Sequence, residues 1–540
     1  MSPVFSDGSR HESLPNKTIF DYADFLKIRV PTACRRNGSC HECIVEIKNG
    51  KEALNPISKS EDFLKDGYRL ACQAVVEKLD SVVEFSTLRR QPRILTKSIS
   101  RDIETSPKVT TKNGRVFIDQ MDSDIYKGKI LGLSGDIGTT TIVLKIVDLE
   151  TMEPLITSSF ENPQRFGGSD VMNRISYDSG DNHGELKNVL VASINFEIGE
   201  MCKSINAHRR QIYDCVLVGN TTMRDILFGI NVESVGQKPY KSIIQTDFEN
   251  NKRKNTSLEE YAEKLGIRIF PKAKIYSGPL ISSHIGSDIA ADLLTIQIDD
   301  SDSNIMLVDV GTNTEVIIGN KNEMFAASCP AGPAFEGGEV KYGMPGYEGA
   351  VEKLEINNGT VISTTIGDKP AEGICGSGLV DLLAELRKSN LMNDLGVLSD
   401  NKQEFEFDSS NKMTISKAEI SSLAQAKSAN YCGQYITLRK FGKSVDSLDY
   451  LYLAGGFANY INSQNAIDIG FIANFPKEKI RKVGNASLEG ATLMLKSTEL
   501  RARIEKICSN IQHIELETTP DFFEIFVEGC MFKSMPTNFT

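Results

Sequence analysis

Gly135-Asp136-Ile137-Gly138-Thr139-Thr140-Thr141 follows the apolar stretch Ile130-Leu131-Gly132-Leu133 and opens a second, Ile142-Val143-Leu144-Lys145-Ile146-Val147. The order is strand, tight glycine turn, strand. A P-loop or dinucleotide site would instead run strand, glycine-rich loop, helix. The acidic residue ends the first strand, and a turn rich in hydroxyls follows. Gly138 lets backbone N–H groups face a phosphate, while Thr139, Thr140 and Thr141 can donate to it. Asp136 can hold Mg²⁺ directly or through water.

The same device returns 173 residues later. Ile305-Met306-Leu307-Val308 reads as a buried strand, Asp309-Val310-Gly311-Thr312-Asn313-Thr314-Glu315 as the loop, and Val316-Ile317-Ile318 as the returning strand. One such loop says little, because Asp and Gly are ordinary turn formers. Two of them, each within strand–turn–strand, indicate a duplicated lobe with a nucleotide held between two phosphate-binding hairpins. A third element, Leu451-Tyr452-Leu453-Ala454-Gly455-Gly456-Phe457, ends a strand in a glycine pair against which an adenosine can lie. Glu372-Gly373-Ile374-Cys375-Gly376-Ser377-Gly378-Leu379 leads into a helical pattern at 380–386. There Gly376 and Ser377 serve either nucleotide contact or close helix packing at a hinge. The run 484–491 reads as a capped helix start near the cleft.

The 540 residues suit about three domains. Apolar residues at 40% and charged residues at 25% describe an ordinary globular protein, and the net charge of −11 argues against nucleic-acid or anionic-membrane surfaces. The N-terminus shows no basic start followed by an apolar run, and no stretch is apolar enough to span a bilayer, so a cytoplasmic location is expected.

Four of the 11 cysteines crowd the first 72 residues as Cys34-x5-Cys40-x2-Cys43, with Cys72 further on. The plant-type [2Fe–2S] pattern is C-x4-C-x2-C…C, so this loop is one residue longer. Arg35-Arg36-Asn37-Gly38-Ser39 supplies a glycine and polar residues whose amides can approach sulfide. A zinc site would normally pair its cysteines in two C-x2–4-C knuckles, and only one pair here has that spacing. His41, between two of the ligands, is expected to be a solvent-exposed bystander. Thr18 to Ala23 reads as a helix start, and Cys43 to Ile47 as a strand. Residues 86–128, rich in Ser, Thr, Lys, Arg and Asp with Pro92 and Pro107, read as a linker with one short ordered element.

Gly67-Tyr68-Arg69-Leu70-Ala71-Cys72-Gln73 resembles the G-x-R-L-A-C-Q stretch carrying the fourth ligand in ferredoxin domains. The loops D-I-G-T-T-T, D-V-G-T-N-T-E and A-G-G-F resemble, in that order, the acetate and sugar kinase/Hsp70/actin ATPase superfamily. With the cysteine domain in front, the chain resembles the reductive activators of corrinoid proteins. Asn162-Pro163-Gln164-Arg165-Phe166-Gly167-Gly168-Ser169-Asp170-Val171, Gly219-Asn220-Thr221-Thr222-Met223 and the run 328–337 match further segments of that family. Ala458 and Ser169 depart from it, where glycine and alanine are common.

The resemblance implies a multidomain chain: a β-grasp ferredoxin-like (α+β) domain over 1–85, the linker over 86–128, and a two-lobed α/β ribonuclease H-like, actin-type ATPase. Its lobes are expected over 129–300 and 301–540. The implied cofactors are a [2Fe–2S] cluster on Cys34, Cys40, Cys43 and Cys72, with ATP and Mg²⁺. Asp136 and Asp309 are the candidates for Mg²⁺ and water positioning. Thr139, Thr140, Thr141, Gly311, Thr312 and Asn313 are the candidates for phosphates, and Gly455 and Gly456 for adenosine. Glu315 either orients the attacking water or is structural. The implied partners are a corrinoid protein of a methyltransferase system, held as Co(II) and returned to Co(I), and a low-potential electron donor. A homodimer is suggested by the resemblance alone. Three other readings compete: an activator of a radical dehydratase or reductase, a small-molecule kinase with a redox sensor, and an actin-like switch.

Overall fold

The computed structural model describes residues 3–6, 9–88, 101–282, 284–298, 302–311, 313–456 and 458–537. Its N-terminal domain is a five-stranded sheet in the order 9–12, 3–6, 83–87, 44–49, 68–70. The first strand runs parallel to Val83–Thr87, pairing Val4 with Val83, and helix Ile19–Phe25 covers the sheet. This is the β-grasp arrangement expected from the sequence. Thr18 starts the helix because its hydroxyl accepts the Asp21 N–H (3.1 Å) while Asp21 accepts the Thr18 N–H (2.9 Å). Ile19, Phe20, Tyr22 and Ala23 are buried beneath it with Val45, Leu70 and Phe85.

The segment read as a linker contains more order than expected. Strands Val109–Lys112, Arg115–Ile118 and Met121–Ile125 form an antiparallel meander. Asn113 and Gly114 both take positive φ in the first turn (51° and 71°), as a two-residue hairpin requires. Val109 and Val116 are buried, and Tyr213 donates to Asp124 at 2.9 Å. The alternation of apolar and polar residues around Asn-Gly was a legible hairpin signal, masked by the charged composition.

Each of the two large lobes repeats one topology. In the first, strands Leu131–Ile137, Thr141–Asp148 and Pro154–Glu161 form a meander, and Ile212–Val218 lies parallel to the first strand. In the second, Ile305–Val310, Thr314–Gly319 and Met324–Cys329 repeat the meander, and Tyr450–Ala454 takes the parallel place. The two quoted loops are the first turns of these meanders, so duplication places them as counterparts.

The boundary at residue 300 separates the sheets but not the helices. Helix Ala486–Lys496 follows strand Ile480–Gly484 of the second sheet and packs on helix Ser287–Ile296 and strand Leu131–Ile137 of the first lobe. Gly490 permits this crossing, since a Cβ there would collide with the Ala291 carbonyl. Ser134–Thr492 (2.9 Å) and Lys145–Glu489 (3.1 Å) fasten it. Helix Thr498–Ser509 contributes Leu500, Ile504 and Ile507 to the same core.

The ferredoxin domain is seated on the first lobe. His41 is not a solvent-exposed bystander: it stacks on Phe63 (4.2 Å between centroids, 17°), and its Nδ1 lies 3.0 Å from Glu185 Oε2. The seat gives the imidazole both an aromatic face and a hydrogen-bond partner. Among the described residues no helix is long and apolar enough to cross a membrane.

Candidate functional sites in the cysteine loop and the interlobe cleft

The cysteine loop is shaped by backbone that L-residues rarely adopt. Arg35, Arg36 and His41 have φ of 54°, 67° and 56°, and Gly38 has 86°. This curls the chain so that amides point inward: Ala33 N–H lies 3.5 Å from Cys40 Sγ, and the Gly38 amide is directed to both Cys34 and Cys72. The thiols form two pairs. Cys34 is hydrogen-bonded to Cys40, and Cys43 Sγ lies 3.4 Å from Cys72 Sγ.

Burial opposes ionisation of Cys34, but Cys40 and the amides of Cys40, Asn37 and Gly38 outweigh it and draw the thiol down to about 6. The hydrogen bond from Cys43 draws Cys72 down to about 7 against its burial, and the same bond pushes Cys43 up. Among the described residues no three Cys, His, Asp or Glu side chains converge as on a single ion. Two thiol pairs under a cage of amides therefore fit a two-iron centre, in which each iron takes two thiolates, better than one tetrahedral zinc.

Arg69 of the G-x-R-L-A-C-Q run holds the fourth cysteine's strand. Its guanidinium donates to Glu61 (2.8 Å) and to the Asn55 carbonyl (3.0 Å), and Glu61 also accepts the Leu70 N–H at 2.9 Å.

The second site is an open cleft between the lobes, with an empty volume of about 1370 Å³. The structure brings Asp136, Gly138, Thr139, Thr140, Thr141, Asp309, Gly311, Asn313, Glu315, Gly376, Ser377, Gly455 and Gly456 to its walls. Thr312 and Phe457 lie outside the described residues. Asn220, from the G-N-T-T-M run, donates to Thr139 at 3.0 Å. Thr140 donates across the cleft to Glu336 at 2.9 Å.

Gly376 and Ser377 open helix Gly376–Lys388, whose N-terminus no side chain caps, and Ser377 donates to the Glu352 carbonyl at 2.9 Å. Amides at such a helix end suit an anion, and the Cys375 thiol already lies against those of Ser377 and Gly378. The glycine pair divides its work. A Cβ on Gly456 would meet nothing, so this position is open to a flat ligand. Gly455 (φ +100°) lies directly against the Val310 carbonyl, with room for no side chain. Its glycine is demanded by the neighbouring hairpin.

The cleft concentrates carboxylates, half-buried at Asp136, Asp288 and Asp309 and buried at Asp292 and Glu315. Burial raises Asp136 to about 7 despite the 2.9 Å hydrogen bond from Asn485, and neighbouring Asp309 adds to the rise. Burial likewise raises Asp309 to about 6. Asp288, on helix Ser287–Ile296, is raised to about 8 by burial and by Asp136. Asp292 and Glu315 are displaced upward for the same reasons, with Ser487 and Ser328 as their hydrogen-bond donors. Among the described residues no three of these groups converge as on a single ion, so a divalent cation here would take one or two carboxylates and its own waters.

Sequence reasoning missed Asp288 and Glu336 as cleft groups, and Asp292 as the buried carboxylate behind them. The run Gly286-Ser287-Asp288-x-x-x-Asp292 offered a signal, since residues four apart share a helix face.

Comparison with known proteins follows the same division. The description "2Fe-2S iron-sulfur cluster binding domain" matches residues 4–77, "RACo middle region" matches 131–301, and "C-terminal domain of RACo the ASKHA domain" matches 303–540. The chain is 29% identical to the corrinoid activation enzyme RamQ of Eubacterium limosum, over 95% of this chain and 96% of that one. It is 23% identical to the [Co(II) methylated amine-specific corrinoid protein] reductase of Methanosarcina barkeri, over 73% and 76% of the two chains. A solved structure of a reductive activator for corrinoid,iron-sulfur protein shares 25% identity, with a TM-score of 0.71 over 99% of each chain. The chain belongs to the RACo family of reductive activators of corrinoid proteins, with a ferredoxin-type domain ahead of its ASKHA domain.

Proposed function

We propose that this chain is an ATP-dependent reductive activator that delivers one electron to the inactive Co(II) state of a corrinoid protein in a methyltransferase system, restoring Co(I). The observation that carries the reading is the pairing, in one chain, of a four-cysteine loop under a cage of amides with a carboxylate-rich cleft between duplicated phosphate hairpins. A [2Fe–2S] cluster bound by Cys34, Cys40, Cys43 and Cys72 supplies single electrons. The loop amides offset the negative charge gathered there, and Arg69 holds the strand that presents Cys72.

In the cleft, amides of the two hairpins and of the helix at Gly376 receive the phosphates, and Thr139 and Thr140 donate to them. Gly456 leaves room for the adenosine. Asp136, Asp309 and Asp288 compete for one divalent cation, and Glu315 orients the attacking water. Co(II) corrinoids require a low potential, and each 59 mV uphill is about 1.4 kcal/mol for one electron. A gap of a few hundred millivolts therefore costs roughly 5–10 kcal/mol, which binding energy released on lobe closure offsets. A low-potential donor of the cytoplasm reloads the chain. One copy carries both sites, so the reading needs no second copy.

The test is made without oxygen. Reduced protein is mixed with a Co(II) corrinoid protein from the same organism, and the visible spectrum is followed with and without Mg·ATP. A Co(I) band that needs ATP and is lost in Cys40→Ser and Asp309→Asn is the expected outcome. ATP hydrolysis with no spectral change for any cognate corrinoid protein would refute this partner. A phosphorylated small molecule would favour the kinase reading.

A further inference from the structure

The turn at 162–168 has no task in either site, yet it touches both. On one side, Asn162 N–H donates to the Thr140 carbonyl, and Asn162 Nδ2 donates to the Gly138 carbonyl, each at 2.8 Å. These are the peptide groups of the first phosphate hairpin. On the other side, Phe166 packs edge-on against Phe63 of the ferredoxin domain (5.7 Å between centroids, 87°) and against Tyr177 (5.6 Å, 87°). Tyr177 donates to the Phe63 carbonyl at 2.5 Å, and Phe63 carries the stacked ring of His41, between Cys40 and Cys43.

The intervening five residues are stiff. Asn162 Oδ1 accepts the Gln164 N–H (3.0 Å), and the Gly168 N–H reaches the Arg165 carbonyl (3.0 Å). The buried Arg174 donates to the Gly168 carbonyl (3.0 Å) and to Gln164 Oε1 (3.3 Å). Phe166 is fully buried.

We infer that the Asn162–Gly168 turn couples nucleotide binding in the cleft to the seating of the ferredoxin domain on the first lobe, with Asn162 and Phe166 as its positioning residues. The inference rests on the nucleotide reading of the cleft. A phosphate drawn onto the hairpin amides reorients the peptide groups of 138–140, whose carbonyls are the acceptors of Asn162. A close-packed turn does not absorb that displacement; it passes it to Phe166 and thence to Phe63. In the seated state one side of the cysteine loop, at Ala33 and Glu42, faces Ala192, Asn195 and Gly199 of helix Glu185–Ser204. Seating thus decides how much of the loop a partner can approach. The coupling is reciprocal, so the seating of the ferredoxin domain changes nucleotide affinity by the same factor.

Amide hydrogen exchange on the full-length, cluster-loaded chain tests this, with and without a non-hydrolysable ATP analogue and Mg²⁺. Asn162→Asp keeps the acceptor that caps the turn and removes the donor to Gly138. Phe63→Leu cuts the contact from the ferredoxin side, remote from the cleft. In the unsubstituted chain the analogue should protect 136–141 and change exchange across 58–67 about fivefold, the population change one ordinary hydrogen bond sets. Both variants should keep the protection at 136–141 and lose the response at 58–67. Protection at 136–141 with no response at 58–67 in the unsubstituted chain, or an equal response in both variants, overturns the coupling alone. If the analogue protects nothing at 136–141, the nucleotide reading and the coupling fall together.

Discussion

Removing the charge of Asp309 should stabilise the nucleotide-free protein, and increasingly so as pH rises. Below about pH 4 the cleft aspartates are neutral in folded and unfolded chains alike, and they cost nothing. Above the usual aspartate value of 3.8 the unfolded chain releases protons that the folded cleft retains, so stability falls with rising pH. The fall continues until the folded groups ionise, at about 6 for Asp309, about 7 for Asp136 and about 8 for Asp288. Each tenfold change in proton affinity is worth about 1.4 kcal/mol. Taken singly, Asp309 then costs about 3 kcal/mol and Asp136 about 4 kcal/mol above these values. The groups repel one another and line an open cleft that water enters, so the costs do not add and are partly screened. A loss of about 4 kcal/mol between pH 5 and pH 8 is the working figure, or roughly 10 °C in Tm for lobes of this size.

Thermal unfolding in EDTA across pH 5–8 measures it. Asp309→Asn should about halve the slope, because Asp309 also raises Asp136, Asp288 and Glu315. Mg²⁺ should raise the Tm of the unsubstituted chain most at pH 8. Half-buried His284 and His513 are lowered by desolvation and titrate in the opposite sense, but they are common to both proteins and cancel in the comparison. An Asp309→Asn difference that stays constant from pH 5 to pH 8 would refute the charge-crowding argument.

Gly455→Ala should cost about 3 kcal/mol, because φ of +100° strains an L-residue and the new Cβ overlaps the Val310 carbonyl and lies 2.8 Å from Asp309 Oδ1. Calorimetry should show a lower Tm, and nucleotide affinity should fall with it; Gly456→Ala, open on the same test, should leave Tm within about 1 °C. Arg69→Ala strands the buried Glu61 and should destabilise the ferredoxin domain by about 3–5 kcal/mol, seen as loss of the cluster's visible absorption at lower urea concentration. An unchanged urea midpoint would show that Glu61 finds other partners.

Local chemistry was the legible part of this chain. The Thr18 capping box, the hairpins at 135–141 and 309–315 and the cysteine loop each depend on residues a few positions apart, and each reads directly from turn and periodicity rules. The Asn113–Gly114 hairpin obeys the same rules and was hidden only by its charged surroundings. His41 was misjudged because its aromatic and acidic partners, Phe63 and Glu185, lie outside its own loop.

The sequence by itself determined that a cluster of four cysteines and two Asp-x-Gly-Thr hairpins exist in this order. Only the tertiary structure decided what converges on them. Asn485 reaches Asp136 across 349 residues because Gly490 lets its helix cross onto the first lobe, and that crossing closes the floor of the cleft. Asp288 joins Asp136 and Asp309 at the cleft because helix Ser287–Ile296 packs on helix Ala486–Lys496 and on strand Ile212–Val218, the neighbour of the Asp136 strand. Turn chemistry is paid within a few residues and is therefore written in them. The convergence of distant charges is set by how helices and sheets pack, and no short stretch of sequence carries that information.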